Sequence, residues 1–248
     1  MRPRSTEADS RKRAADSFRK REKHMNHQDL REEVLGISRR MGASELVVGT
    51  SGNISVRTPE GDVLVTPSAL DYEEMRPEDV VLVNMEGRVL EGSLNPSSET
   101  PMHVGIYRSR TGVGAIVHTH SPFSTTLACL GWEIPAVHYL VLALSEEGRV
   151  PVASYETPNT EELALRASEA LGDSHYACLL QNHGTITVGE TLSEAYSRTE
   201  RLEEMAMIYY RTRLAGEPLL LTPEQAAKVA PKVSSYVRSA TRSTSGSG

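Results

Sequence analysis

Apolar residues first recur at helical spacing. Leu30, Val34, Leu35, Ile37 and Met41 fall on one side of a helix over residues 28–42. After a glycine-rich turn, Gly49-Thr50-Ser51-Gly52-Asn53, the pattern shortens into strand-like runs at Ile54–Arg57, Asp62–Thr66 and Val80–Asn84. Glu86-Gly87 turns the last of these into Arg88-Val89-Leu90, which reads as a hairpin. Pro96-Ser97-Ser98-Glu99-Thr100-Pro101 carries small polar residues and an early proline, the chemistry of a helix start, and predicts a helix to about Arg110.

Farther on, Val113 to Val117 reads as a short buried strand ending at His118. Pro122–Leu130 and Glu161–Leu171 read as helices. Ala177–Gln181 and Thr185–Val188 are strands flanking Asn182-His183-Gly184, and Gly184 is expected to let the backbone turn sharply. A long helix over about Leu192 to Leu214 and a last short one from Pro223 complete the body. Strands joined by short turns, mixed with helices, predict one α/β domain over residues 26–238 with a central mixed, largely antiparallel sheet flanked by helices.

The ends differ from the body. Residues 1–25 are rich in Arg and Lys with interspersed acids and read as a disordered basic extension. Residues 239–248, ending in Ser-Gly repeats, read as a flexible tail. The 248 residues carry 38% apolar and 24% charged side chains and a net charge of −6, with no concentrated basic face, so a nucleic-acid partner is not expected. The longest apolar stretch, Ala136 to Leu144, is interrupted by His138 and falls far short of the roughly 20 residues of a membrane span. With no secretion signal visible, a cytoplasmic protein is expected. Cys129 and Cys178 sit among apolar residues and read as buried, reduced thiols.

Three features could carry chemistry. In His118-Thr119-His120, residues i and i+2 of a strand project to one side, so two imidazoles could share one ion. His183, in a matching strand–turn–strand context, could supply a third nitrogen; the alternative is three histidines with ordinary partners. Ser97-Ser98-Glu99 offers hydroxyls and helix-start N–H groups to an anion, followed by a carboxylate that could bind a metal or act as a base; it could equally be a plain helix cap. Thr50-Ser51-Gly52-Asn53 suits an anion cradle or a simple turn, and lacks the lysine of a nucleotide loop.

Taken in order, Gly49–Arg57, Thr66-Pro67-Ser68, Ser97-Ser98-Glu99, His118-Thr119-His120, Ile134–Tyr139 and Gln181–Gly184 resemble the class II aldolase/adducin family, over nearly all of residues 28–237. The resemblance is nearest to its fuculose-phosphate branch. It implies a zinc site at His118, His120 and His183, with Glu99 as metal-binding carboxylate and general acid/base; manganese or cobalt could replace zinc. It also implies a substrate-phosphate site at Gly52, Asn53, Ser68, Ser97 and Ser98, with Thr50 beside them. Tyr139, and more weakly Tyr236, match tyrosines that reach the active site. The implied assembly is a homotetramer with active sites between subunits.

The implied activity is cleavage of a ketose 1-phosphate to dihydroxyacetone phosphate and an aldehyde. Two departures put the aldehyde in question. Ala69 stands where relatives often carry glycine, and Pro158 stands where an aromatic lines the aldehyde side. L-fuculose 1-phosphate and a 5-deoxy- or 5-substituted ribulose 1-phosphate therefore both fit. The rival readings are an L-ribulose-5-phosphate 4-epimerase-like enzyme, a methylthioribulose-phosphate dehydratase and a non-catalytic adducin-like module.

Overall fold

The computed structural model describes residues 27–244, with side chains as far as Val233. The extension expected over 1–25 and the side chain of Tyr236 lie outside the described part.

Eight strands form one sheet: β1 (Asn53–Arg57), β2 (Val63–Val65), β3 (Val81–Val83), β4 (Val89–Glu91), β5 (Ala115–Thr119), β6 (Val152–Ala153), β7 (Ala177–Leu180) and β8 (Gly184–Gly189). Their order is β4-β3-β2-β1-β5-β8-β7-β6. The short β6 runs parallel to β7, and the other described pairings are antiparallel. Among the described residues six helices surround the sheet: α1 (Gln28–Gly42), α2 (Thr100–Ser109), α3 (Pro122–Leu130), α4 (Glu161–Leu171), α5 (Leu192–Ala215) and α6 (Pro223–Thr244).

Both faces of the sheet are covered. Leu64, Val56 and Val117 meet Val34, Ile37 and Met41 of α1 and Tyr196 of α5 on one side. Val63, Val65, Ile116 and Ile186 meet Met102, Ile106 and Tyr107 of α2 and Leu163 and Ala167 of α4 on the other. Two-sided burial is why β2 and β3 read as unbroken apolar runs instead of alternating ones. The pair α2 and α4 packs closely at Gly105, where an added Cβ would stand 2.6 Å from the Cβ of Ala164. A third cluster joins Leu127 and Ala128 of α3, Leu202 and Met205 of α5, and Leu140 and Val141 from a 3-10 turn at Tyr139–Ala143.

Two sequence expectations need correction. Cys178 is buried, but Cys129 is exposed. Leu127 and Ala128 point α3 into the core, and one residue later the chain has rotated by about 100°, outward. The last helix is also not short. It spans 22 residues and continues through Pro231, past the boundary placed at 238. Alanines 226, 227 and 230 favour helix strongly, while Pro231 removes one backbone donor without ending it.

Candidate active site

The site forms where β1, β5 and the β7–β8 turn end together. Asn53 on β1 faces His118 on β5, and His118 in turn faces Ile186 on β8. His120 lies just past the end of β5, two residues from His118, and so returns to the same side. His183 sits in the turn that joins Leu180 to its paired residue Gly184. The left-handed residue of that turn is Asn182, with φ 56°, not Gly184. Gly184 belongs to β8 and is needed for close approach. A Cβ there would stand 2.5 Å from the Thr119 carbonyl oxygen and 2.6 Å from Cδ2 of His120.

Glu99 stands at the N-cap position of α2, but its carboxylate does not cap the helix. It points into the sheet end. Oε2 lies 2.9 Å from Nε2 of His118, and Oε1 lies 3.0 Å from Nε2 of His183. Nε2 of His118 is also 2.9 Å from Nε2 of His120. One ligand atom from each of Glu99, His118, His120 and His183 falls within 4.8 Å of every other, so the group could hold a metal ion.

The proton placement suits a cation. His118 Nδ1–H donates to the Thr185 carbonyl oxygen at 2.8 Å, which leaves Nε2 bare in the neutral ring. That lone pair faces a second imidazole nitrogen and a carboxylate. Converging lone pairs without a proton between them are the donor set of a divalent ion. Without an ion a proton takes its place: burial alone would raise the Glu99 carboxyl, but the charge of a protonated His118 and hydrogen bonds from His118, His183 and Asn53 outweigh it, holding the group well below the usual carboxylate range. His120 is pushed down to about 4 by burial, then by the neighbouring His118 and His183, with Glu99 opposing.

Above the cluster opens a cavity of about 330 Å³. All six phosphate-site candidates line it: Thr50, Gly52, Asn53, Ser68, Ser97 and Ser98. Glu99, His120 and His183 form its floor, and Ala69 and Pro158 are also in its wall. Pro67 and Asn159 line it too, although the sequence had given them no role. Gly52 is positioned from below, since its carbonyl accepts from the buried Tyr72 hydroxyl at 2.5 Å. Serine 97 is tied down by its own loop: its N–H donates to the Thr66 carbonyl, and its Oγ accepts from the Glu99 N–H. A larger neighbouring cavity of about 740 Å³ between α2 and α4 shares Ser97, Ser98 and Asn159 but none of the four clustered ligands.

Tyr139 is not among the residues lining the cavity. It is 45% exposed, on the 3-10 turn, with its ring 4.5 Å from that of His138. Sequence reasoning also passed over His103. This residue is wholly buried, four residues after Glu99, and lies directly under Asn53. The Glu99–His103 spacing, one turn of helix, was the available signal.

A mixed sheet between helices, closing three imidazoles and one carboxylate under a hydroxyl-lined cavity, defines an α/β protein built around a cluster able to hold a divalent cation. The chain belongs to the Class II Aldolase and Adducin N-terminal domain family, whose pattern matches residues 32–210. It is 44% identical over 207 residues to the 5-deoxy-D-ribulose 1-phosphate aldolase of Bacillus thuringiensis serovar kurstaki, covering 83% of this chain and 96% of that one. It is 40% identical over 207 residues to the 5-methylthioribulose-1-phosphate/5-deoxyribulose-1-phosphate aldolase of Rhodospirillum rubrum, covering 84% and 92%. Among solved structures, an L-fuculose 1-phosphate aldolase superposes with a TM-score of 0.80 at 36% identity, covering 85% of this chain and 98% of that one. The family that the ordered motifs resemble is thus the family matched over residues 32–210.

Proposed function

We propose that this chain is a divalent-metal-dependent aldolase that cleaves a 5-deoxy- or 5-substituted ribulose 1-phosphate to dihydroxyacetone phosphate and an aldehyde. The observation that carries the reading is the convergence of Glu99, His118, His120 and His183 beneath the cavity bearing Thr50, Ser68, Ser97 and Ser98. The choice of ribulose phosphate over L-fuculose 1-phosphate is supported by the relatives: 44% and 40% identity to the two deoxyribulose-phosphate enzymes, against 35% to an L-fuculose phosphate aldolase of Haemophilus influenzae. Pro158 in the cavity wall, in place of an aromatic, fits a small, apolar aldehyde.

Zinc is the ion this donor set suits, with three nitrogens, one carboxylate oxygen and room for substrate. Once bound, it would supply electrophilic stabilisation for the negative charge that develops on the ketone oxygen. The protein's own groups do the rest. The hydroxyls of Thr50, Ser68, Ser97 and Ser98, the Asn53 amide and the backbone at Gly52 form a neutral phosphate pocket, whose remote binding energy orients the C3–C4 bond. As that bond breaks, its electrons stay on the dihydroxyacetone phosphate fragment, and Glu99 takes a proton from solvent and delivers it to the former C3. The C4 hydroxyl must lose a proton as the aldehyde forms. Tyr139 of a neighbouring subunit is the group proposed for this, with Tyr236 assisting.

A homotetramer is proposed on the same basis. Tyr139 does not line the cavity of its own chain, and Leu130 and Tyr155 are about half exposed, at 47% and 52%. A cytoplasmic location is proposed as well; among the described residues no helix is long and apolar enough to cross a membrane. The test is a panel of ketose 1-phosphates assayed for dihydroxyacetone phosphate release by the zinc-loaded protein. We expect 5-deoxyribulose 1-phosphate to be cleaved with a higher kcat/KM than L-fuculose 1-phosphate. Conversion of L-ribulose 5-phosphate with no release from any ketose 1-phosphate would overturn the proposal.

A further inference from the structure

Beneath the site a chain of hydrogen bonds runs from α2 through β1 to Glu99. Tyr107 Oη lies 2.9 Å from Ser55 Oγ, and Ser55 Oγ lies 2.6 Å from His103 Nδ1. His103 Nε2 lies 2.6 Å from Asn53 Oδ1, and Asn53 Nδ2 donates to Glu99 Oε2 at 2.9 Å. The geometry has a simple origin. His103 and Tyr107 are one helical turn apart on α2, and Asn53 and Ser55 are two residues apart on β1. Both spacings are about 6 Å, so two helix side chains meet two strand side chains in register.

Each proton in this chain has one consistent position. A carboxylate only accepts, so the Asn53 amide must turn its NH₂ toward Glu99 and its oxygen toward His103. His103 must then carry its proton on Nε2, leaving Nδ1 bare. Ser55 must donate to that nitrogen, and its oxygen accepts from Tyr107. The far end is anchored: Arg57 donates to the Tyr107 carbonyl at 2.6 Å and lies 4.8 Å from the ring centroid. Ser55, His103 and Tyr107 are all fully buried, so no solvent competes for these bonds.

We propose that His103 is a positioning residue. Its Nε2–H tautomer, set by Ser55 and Tyr107, locks the Asn53 amide in the one orientation that presents an N–H to Glu99 Oε2. With the other tautomer the amide would flip, and its oxygen would face the carboxylate across 2.9 Å. Glu99 would then turn away from the arrangement it shares with His118 and His183. This rests on the aldolase reading for its catalytic consequence, but the tautomer itself does not.

Two measurements on the zinc-loaded full chain test it. The first is a long-range proton–nitrogen correlation spectrum of histidine-labelled protein. It should show His103 neutral, with a bare Nδ1 and a protonated Nε2, assigned by the resonances lost in His103→Leu or, if that variant does not fold, by ring contacts to Tyr107. A Nδ1–H ring or a doubly protonated ring overturns the proposal. The second is kinetic. Ser55→Ala should lower kcat by about 10- to 100-fold, as loss of a supporting partner does, with zinc content unchanged and KM within about twofold. Ser55→Thr, which keeps the hydroxyl, should recover most of the rate. A Ser55→Ala protein with full zinc and wild-type kcat overturns the positioning role. If the wild type cleaves no ketose 1-phosphate, the aldolase reading fails, and the spectrum alone decides the tautomer.

Discussion

Gly184 presses against His120: a Cβ on Gly184 would stand 2.6 Å from Cδ2 of His120 and 3.2 Å from Cε1 of His118. Two candidate ligands are therefore held in place by the absence of a side chain on the neighbouring strand. Gly184→Ala must push at least one imidazole aside, because the other close atom is the Thr119 backbone oxygen. We expect it to lower metal affinity by about 10- to 100-fold, the usual effect of disturbing ligand orientation. Overpacking should also destabilise the fold by about 1–3 kcal/mol. Metal content by elemental analysis and a urea titration check both. Full metal occupancy at wild-type affinity would show that the histidines do not depend on this contact.

Ala69 adopts a left-handed backbone, with φ 57°, in the cavity wall. An L-residue pays about 1–2 kcal/mol for that conformation, and glycine does not. Glycine has a looser unfolded state, which offsets about 0.4–1 kcal/mol of the gain. Ala69→Gly should thus stabilise the protein by up to about 1.5 kcal/mol and raise the urea midpoint without changing the slope. Ala69→Val, β-branched at the same φ, should lower the midpoint. An unchanged midpoint in both variants would mean that the loop relaxes freely.

How far the sequence could be read follows from which contacts are local. His118 and His120 were visible because i and i+2 on a strand share a side whatever the surroundings. Glu99 and the serines were visible as part of an ordered series of motifs. His103 was not, because its meaning lies in Asn53 and Ser55, which are 50 and 48 residues away. Gly184 is special in the sequence as a turn former, but its role comes from Thr119 and His120 at the end of β5, and the left-handed residue of the turn is Asn182. Cys129 reads as buried in a linear window and is exposed because its helix turns. Pairwise proximity across the sheet, not composition, was the missing information.

In the metal-free protein, burial and then a proton on the neighbouring His118 push His103 down to about 3, with Glu99 opposing. An unfolded histidine titrates near 6.5. The folded state therefore resists a proton that the unfolded state accepts. The stability linked to His103 is fully present above about pH 6.5 and is lost as pH falls from there toward 3. The slope is about 1.4 kcal/mol per pH unit for one such group. In urea titrations of the metal-free protein from pH 7.5 down to 4.5, we expect stability to fall with acid, and His103→Gln to flatten the slope while lowering the plateau. An equally steep fall in His103→Gln would place the acid sensitivity elsewhere.

Removing the metal and neutralising Glu99 should separate two roles. His118→Ala takes away an imidazole nitrogen 2.9 Å from the carboxylate, and we expect metal and activity to be lost together. Glu99→Gln keeps an oxygen and all three imidazoles, so metal should be retained while most turnover disappears, because the amide cannot exchange a proton with the substrate carbon. The histidines and Glu99 exist as a set only in the folded chain, so the ion stabilises by mass action, about 2.7 kcal/mol at a hundredfold excess over its dissociation constant. Chelation of the wild type should lower the melting temperature, and zinc should restore both stability and dihydroxyacetone phosphate release. In Glu99→Gln, zinc should restore stability alone. Turnover near the wild-type rate in zinc-loaded Glu99→Gln would remove Glu99 from the proton transfer and leave it only as a ligand.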